Sequence, residues 1–414
     1  MSHIERDIPR KVVIAHESPD AHIGAKVGGA AAVALNQSRE MHKMGRSVQL
    51  IGPRNGGKGA LDIPHELFEM PEVTSNDELL DVFRSSDKWM TYWQKALQPE
   101  EEKECDIYGH YYVTGGIMSE LNGSIKGRRL YMGHSWDKVV ERMDPGRVIT
   151  PTRAKAEASI LANSDAVVVS TDAEKHMIAQ DYQQSIPGGQ KAILDKIHVV
   201  PLGVDEKVFA PENLARNREE YRGKLLKFLK NTLNFYMVGR IAPQKNQLLA
   251  IEAFTEALKT DPKLNVSLSI FGGTLEDNRY YDVVRKYLLE QPAYIQAKVK
   301  FHDVMPADIA HAVGDVFLGP SVWETFFLAA AEAMASRKPT IVSDKPILRE
   351  VVGGGSLFVD ETNAADIAFN IDKMATDERL RQCSSDYNFN RAWKRYTWEK
   401  SARRLDEVWQ GLRQ

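Results

Sequence analysis

The sequence predicts an α/β protein of two domains, each a parallel sheet with helices on its faces, and three observations carry this expectation. Short β-branched runs alternate with longer amphipathic segments along almost the whole chain, as strands joined by crossover helices do. A chain of 414 residues exceeds what one hydrophobic core serves, and 43% hydrophobic residues suffice for two. The alternation breaks once, at the turn-rich segment Pro201-Leu-Gly-Val-Asp-Glu-Lys-Val-Phe-Ala-Pro211, and then restarts.

In the first half, strands are expected at 11–15, 48–52, 106–110, 129–133, 166–170 and 197–200, with amphipathic helices at 27–44 and 153–162. After the break a basic amphipathic helix is expected over 221–230. Strands follow at 234–238, 264–271, 299–302, 316–319 and 339–342, with helices at 246–259 and 328–336. The charged, Trp-bearing stretch 391–414 reads as one closing helix. The expected division is therefore 1–210, 211–390, and a helix at 391–414 that crosses back to the first domain. Two α/β halves of nearly equal size are expected to face each other across a cleft, a preferred place for ligands.

Composition narrows the function classes. A formal net charge of -3 lacks the basic excess that organises a protein around nucleic-acid phosphates. Cys105 and Cys383 are the only cysteines and form no C-x-x-C pattern, so neither a disulfide framework nor a zinc site is expected and a reducing, cytoplasmic setting fits. Met1-Ser-His-Ile-Glu-Arg-Asp7 carries charge where a signal peptide is apolar, and no apolar run approaches the roughly 20 residues needed to span a bilayer. Peripheral contact with a membrane surface stays compatible with this composition, and nothing in the sequence sets an oligomeric state.

Three strand-to-helix junctions and two histidines stand out. Val238-Gly-Arg-Ile-Ala-Pro-Gln-Lys-Asn246 follows an apolar strand and opens a helix. In an open α/β sheet that junction lies at the carboxyl edge, where ligands bind and helix N-terminal N–H groups meet anions. Arg240 and Lys245 would add two positive charges there, although most loop Arg and Lys residues are solvated surface charges. Pro320-Ser-Val-Trp-Glu-Thr-Phe-Phe-Leu-Ala-Ala-Ala-Glu-Ala-Met-Ala335 sets Glu324 in a turn and Glu332 in an apolar helix. A carboxylate there is costly to bury without donors, and a ribose offers two hydroxyls; an ion-paired structural role is the alternative for Glu332. Lys26-Val-Gly-Gly-Ala-Ala-Ala-Val33 puts Gly28 and Gly29 where backbone N–H groups can approach a phosphate or sugar. It lacks the G-x-G-x-x-G spacing, which counts against an NAD-dependent oxidoreductase. Ile107-Tyr-Gly-His-Tyr111 and Met132-Gly-His-Ser135 set His110 and His134 just past two strands, suited to a polar sugar contact.

Together these segments resemble the retaining glycosyltransferase family 4, whose GT-B fold has two Rossmann-like domains. The specific part is the second half: Val238-Gly-Arg240 with Lys245-Asn246, Pro320-Ser321, Glu324 with Glu332, and Pro339-Thr-Ile-Val-Ser343. Val199-Val-Pro-Leu-Gly-Val-Asp205 is similar to the family's interdomain segment and Tyr396-Thr-Trp-Glu399 to its closing helix. The two histidine motifs are similar to sucrose synthase and sucrose-phosphate synthase relatives. The resemblance implies that 1–210 is the acceptor side and 211–390 holds a nucleotide-sugar. Arg240 and Lys245 would bind the donor diphosphate, Glu332 the ribose and Glu324 a donor-sugar hydroxyl, with Phe327 and Leu328 lining the donor site. His134 would lie near the donor sugar, and Gly28 and Gly29 would close on phosphate or sugar. His110, Lys138 and Arg153 fall on the acceptor side, and the last two would meet an acceptor phosphate if the sucrose-phosphate likeness extends that far.

The implied activity is transfer of a hexose, glucose favoured, from a UDP-sugar in preference to a GDP- or ADP-sugar, to a sugar, polysaccharide or small-molecule hydroxyl, with retention and with no cofactor besides the donor. Breaking the anomeric bond builds negative charge on the diphosphate, so cations fixed there act most strongly in the transition state. No Asp-any-Asp pair of the kind that holds a divalent ion is present, and no metal is expected. Three positions depart from the family pattern: Phe327 stands for the glycine of Glu-x-Phe-Gly-Leu, and Arg337 and Asp303 stand where glycine is common. An epimerase or phosphorylase of the same fold, or a non-catalytic nucleotide-sugar-binding protein, are the alternatives; an epimerase needs no acceptor, and a phosphorylase needs inorganic phosphate.

Overall fold

The computed structural model describes residues 12–15, 29–54, 63–69, 76–97, 105–121, 123, 127–146, 149–227, 231–274 and 279–412. The chain divides into two compact units, one made of Met1–Leu202 with Trp398–Gln414 and the other of Gly203–Thr397. The division falls at 202/203 and 397/398, against boundaries expected at 210/211 and 390/391.

Unit 1 holds seven strands, β1 (Val12–Ala15), β2 (Val48–Arg54), β3 (His65–Glu69), β4 (Asp106–His110), β5 (Arg129–Met132), β6 (Ala166–Val169) and β7 (Ile197–Val199), in the order β3-β2-β1-β4-β5-β6-β7. All of the pairings are parallel. The helices are α1 (Gly29–Lys43), α2 (Asn76–Ser85), α3 (Asp87–Leu97), α4 (Tyr111–Glu120), α5 (Asp137–Met143), α6 (Pro151–Asn163), α7 (Asp172–Asp181) and α8 (Gly189–Lys196). Period-two alternation sends Val13, Ile107, Tyr131 and Val167 to one face, where they pack with Leu80, Phe83, Val113, Ile117 and Ile160. Helices on both faces explain why β4 and β6 are buried from end to end.

Unit 2 opens with α9 (Pro211–Leu225) and β8 (Leu233–Val238), followed by α10 (Gln247–Thr260), β9 (Val266–Phe271), α11 (Arg279–Leu289), α12 (Ala293–Gln296) and β10 (Val299–His302). It continues with α13 (Ala307–Val313), β11 (Val316–Gly319), α14 (Leu328–Ala335), β12 (Thr340–Ser343), α15 (Pro346–Val352), β13 (Leu357–Val359), α16 (Ala364–Thr376) and α17 (Glu378–Arg395). Its six strands are ordered β10-β9-β8-β11-β12-β13, again all parallel. Counted within each unit, both sheets run 3-2-1-4-5-6, with one strand more at the end of unit 1. The winding therefore reverses between β1 and β4 and between β8 and β11, the switch points at whose carboxyl ends ligands bind in such sheets.

The last helix, α18 (Trp398–Gly411), belongs to unit 1. Trp398, Ala402, Leu405, Val408 and Trp409 form its buried stripe. Gln37 on α1 donates from Nε2 to Ser401 Oγ at 3.1 Å, and Arg46 pairs with Asp406. The single helix expected over 391–414 is in fact two, because the backbone leaves the helical region at Tyr396, whose hydroxyl donates to Val351 O at 2.8 Å. Likewise α9 begins at Pro211, not at 221: proline at the first helical position costs no hydrogen bond and presets φ.

Two glycines make contrasting tests of packing. A Cβ on Gly272 would lie 1.9 Å from the backbone oxygen of Gly239, where the turns after β9 and β8 touch. Gly223 on the exposed face of α9 meets nothing within 4 Å. Gly272→Ala is expected to destabilise unit 2 by about 2 kcal/mol or more, whereas Gly223→Ala should stabilise by about 0.5–1 kcal/mol by restoring helix propensity. Differential scanning calorimetry of the two variants checks both; equal shifts would show that the close approach of the two turns is not a real constraint.

Candidate active site

In unit 2 the residues singled out by sequence gather at the β8/β11 switch point. The chain leaves β8 through Gly239 and Arg240, passes through a short 3-10 turn at Pro243–Lys245 and enters α10 through Asn246 in a left-handed conformation. Gln247, almost fully buried, staples that loop by donating from Nε2 to Arg240 O at 2.8 Å and accepting from Ala242 N at 3.3 Å. The turn after β11 is tied to it: Val322 N donates to Gln244 O at 2.8 Å, and Gln244 Nε2 donates to Trp323 O at 3.1 Å. These bonds bring Lys245 and Glu324 together, with Nζ 2.5 Å from Oε1 and side chains 18% and 8% exposed. Arg240 is exposed on the same loop. Leu328 begins α14, and its N-cap residue is Phe327, which offers no side-chain oxygen to the first-turn N–H groups. An uncapped helix start beside a lysine and an arginine is a place suited to an anion.

Phe327 takes up φ 73° and ψ 66°, the left-handed region that suits glycine. Arg337 does the same with φ 55°. Two of the three departures from the family pattern therefore keep the backbone that a glycine would adopt there. The Phe327 ring is 5% exposed, packs edge-on against Phe317 at 5.5 Å between centroids, and lies where Gly319 leaves room. A Cβ on Gly319 would come within 2.6 Å of that ring. The ring thus turns into the sheet end, and Lys245 Nζ sits 4.9 Å above its centroid.

Glu332 lies one to two turns into α14, with Oε2 3.4 Å from Nε2 of His311 on α13. His311 is fully buried and its Nδ1 is 2.8 Å from the Tyr236 hydroxyl, a phenol that burial pushes well above its ordinary pKa. Sequence reading missed His311, although a lone histidine in the apolar run Ile309-Ala-His-Ala-Val313 was a signal that a polar partner must exist.

In unit 1, β4 ends in His110, and His134 lies two residues past the end of β5. His110 Nδ1 and His134 Nε2 are 3.0 Å apart, with the rings stacked at 5.3 Å. Burial pushes His134 down to about 3, so it is neutral at ordinary pH. Gly133 is required beneath Trp136, whose indole nitrogen would lie 2.1 Å from an added Cβ. Arg153, with Lys138, was expected to meet an acceptor phosphate if the sucrose-phosphate likeness extended that far. The structure instead encloses it in unit 1: Nε lies 2.8 Å from Glu157 and 3.1 Å from Asp137, and Nη2 donates to Ser135 O and Oγ at 2.8 Å. Asp137 N donates to both Glu157 oxygens at 3.1 Å, and the Tyr182 hydroxyl donates to Glu157 as well. Burial opposes the charge on Arg153, and Glu157 with Asp137 more than offsets it; burial likewise raises Glu157 against the pull of Arg153. Arg153 thus ties together Ser135 and Asp137, in the turn that follows His134. Lys138 is half-buried over the Tyr182 ring at 4.9 Å, with Nζ 3.4 Å from Ser185 Oγ. Gly29 is the first residue of α1, and Gly28 lies outside the described residues. Among the described residues no helix is long and apolar enough to cross a membrane.

Residues 217–391 match the protein family Glycosyl transferases group 1. Among curated proteins, the chain is 24% identical over 409 residues to mannosylfructose-phosphate synthase of Agrobacterium fabrum, covering 92% of this chain and 86% of that protein. It is 26% identical over 313 residues to D-inositol 3-phosphate glycosyltransferase of Corynebacterium jeikeium, covering 74% and 72%. Among solved structures, sucrose-phosphate synthase from Thermosynechococcus elongatus superposes with a TM-score of 0.75 at 20% identity, covering 97% of this chain and 99% of that one. The Anabaena protein HepE in complex with UDP-glucose gives 0.76 at 15%, covering 97% and 99%. The architecture is that of the GT-B glycosyltransferases, and the stretch that matches the glycosyl transferases group 1 family lies within unit 2.

Proposed function

We propose that this protein is a retaining hexosyltransferase that takes its sugar from a nucleotide-diphosphate donor held mainly by unit 2, with UDP-glucose the favoured donor. The observation that carries this reading is the set at the β8/β11 switch point: Lys245 against Glu324, Arg240 on the same loop, and the uncapped start of α14. A diphosphate there meets two cations and a helix dipole. As the anomeric bond breaks, charge grows on the leaving diphosphate, and groups already oriented toward it stabilise the transition state more than the ground state. Glu324, once Lys245 engages phosphate, is free to accept a hydrogen bond from a donor-sugar hydroxyl. Glu332 accepts from the ribose, its orientation supported by His311. A departing phosphate oxygen takes the acceptor's proton on the face it leaves, which gives retention. HepE, solved with UDP-glucose, supports the choice of donor.

For the acceptor we propose a hydroxyl of a phosphorylated sugar or polyol, with unit 1 as the acceptor side. The names of the relatives support this: mannosylfructose-phosphate synthase, D-inositol 3-phosphate glycosyltransferase and, among structures, sucrose-phosphate synthase. Neutral His134, stacked on His110, offers an uncharged imidazole to a sugar hydroxyl.

Three outcomes follow. Lys245→Ala and Arg240→Ala are each expected to lower kcat/KM for UDP-glucose by about 100-fold or more with the fold intact; steady-state kinetics with fructose and inositol phosphates as acceptors checks this, and unchanged values in both variants would remove the phosphate site. Because these cations offset the diphosphate charge, turnover is expected to survive EDTA at matched ionic strength. Loss of turnover with rescue by manganese would overturn the leaving-group argument. Finally, His134 is neutral when folded and takes up a proton near its ordinary pKa when unfolded, so its stabilising contribution is present above about pH 6.5 and is lost as pH falls toward 3. Chemical denaturation between pH 7 and 4 should show a shallower loss of stability in His134→Gln than in the natural protein, and parallel curves would contradict the depressed pKa.

A further inference from the structure

We infer that Phe327 is a positioning residue for Lys245, and that its ring lets the ammonium exchange Glu324 for the donor diphosphate without losing its place. This rests on the diphosphate reading of Lys245 given above, and it concerns a position where the family pattern has no side chain at all.

Three independent features meet at this ring. The first is its backbone: a bulky side chain at φ 73° is a strained conformation that persists only where the surroundings hold it. The second is the space made for it. Gly319 at the end of β11 has no Cβ, and an added one would sit 2.6 Å from the Phe327 ring, so glycine and phenylalanine form a matched pair across the turn. The third is what lies over the ring: Lys245 Nζ at 4.9 Å from the centroid, within reach of the negative face of the π-system.

The ammonium therefore has two partners of different kinds. Glu324 holds it by charge at 2.5 Å, and the ring holds it by its quadrupole. A diphosphate competes with Glu324 for the charge. It does not compete with the ring, which lies on the side of the sheet and is 5% exposed. With the ring present, Lys245 can turn from carboxylate to phosphate about a fixed support, and Glu324 is released to the donor sugar in the same step. Without it, the lysine side chain has four rotatable bonds and no second support, and the exchange costs the ordering of that side chain.

The test is a double-mutant cycle. Phe327→Leu keeps an unbranched-at-Cβ apolar side chain with the same backbone strain but removes the π face; Phe327→Tyr keeps the face. Phe327→Leu is expected to lower kcat/KM for UDP-glucose and to weaken UDP binding in calorimetry by about 3- to 30-fold, the range of a partly desolvated cation–π contact, while Phe327→Tyr stays within about twofold of the natural protein by the same contact. In a Lys245→Ala background Phe327→Leu should change neither quantity further. Where turnover of Lys245→Ala is too slow to follow, UDP affinity closes the cycle. Equal losses from Phe327→Leu with and without Lys245, or equal losses from Leu and Tyr, would overturn the proposal and leave Phe327 a packing residue. Natural UDP affinity and turnover in Lys245→Ala alone would overturn the diphosphate reading, and the proposal with it. A thermal scan of each variant separates these outcomes from unfolding.

Discussion

In a parallel sheet each strand's connection leaves from the carboxyl end and returns over one face, and where the winding reverses, the loops after two neighbouring strands part to opposite sides. In unit 2 those strands are β8 and β11. Their loops share a short set of backbone and amide bonds, through Gln244, Val322 and Trp323, that brings Lys245 and Glu324 together across a sequence separation of 79. The site depends on that closure more than on any single side chain, because an ammonium and a carboxylate set this deep must be held in register to offset the loss of water around them.

The two units use charge differently. In unit 1 the buried ions satisfy one another: Arg153 lies between Asp137 and Glu157, and Tyr182 completes the Glu157 shell. Their net effect is to hold the Ser135–Asp137 turn, on which a neutral His134 is displayed. At the switch point of unit 2 the Lys245–Glu324 pair lies near a helix start lacking a side-chain cap, and Arg240 is exposed on the loop that carries Lys245. Such a local grouping of cations is compatible with a chain whose formal net charge is -3, and under the proposed reading a diphosphate would meet it.

Much of this architecture was legible from residue pattern, because strands buried on both faces read as short apolar runs. The failures are equally physical. β3, with sequence His-Glu-Leu-Phe-Glu, is an edge strand whose charged residues hide its period, and β13 is only three residues long. Proline 211 reads as a breaker when it in fact opens α9. At the site, Lys245, Glu324 and the histidine pair were legible because each lies at the carboxyl end of a strand or in the loop that leaves it, whereas the enclosure of Arg153 depends on Glu157 one helical turn away and on Tyr182 from a different helix. The conformation of Phe327 was signalled only by contrast with a glycine pattern; nothing in the residue itself announces a left-handed backbone.

Unit 2 is one uninterrupted stretch, whereas unit 1 is split and is finished by α18. Val204 and Thr397 pair as a parallel bridge, so the two ends of unit 2 lie side by side. Adjacent ends are usual in a self-contained compact unit, whereas unit 1 needs α18 to partner Gln37 and Arg46. Unit 2 is thus built from one continuous segment, whereas unit 1 draws α18 from the far side of unit 2 in the sequence and is not closed without it.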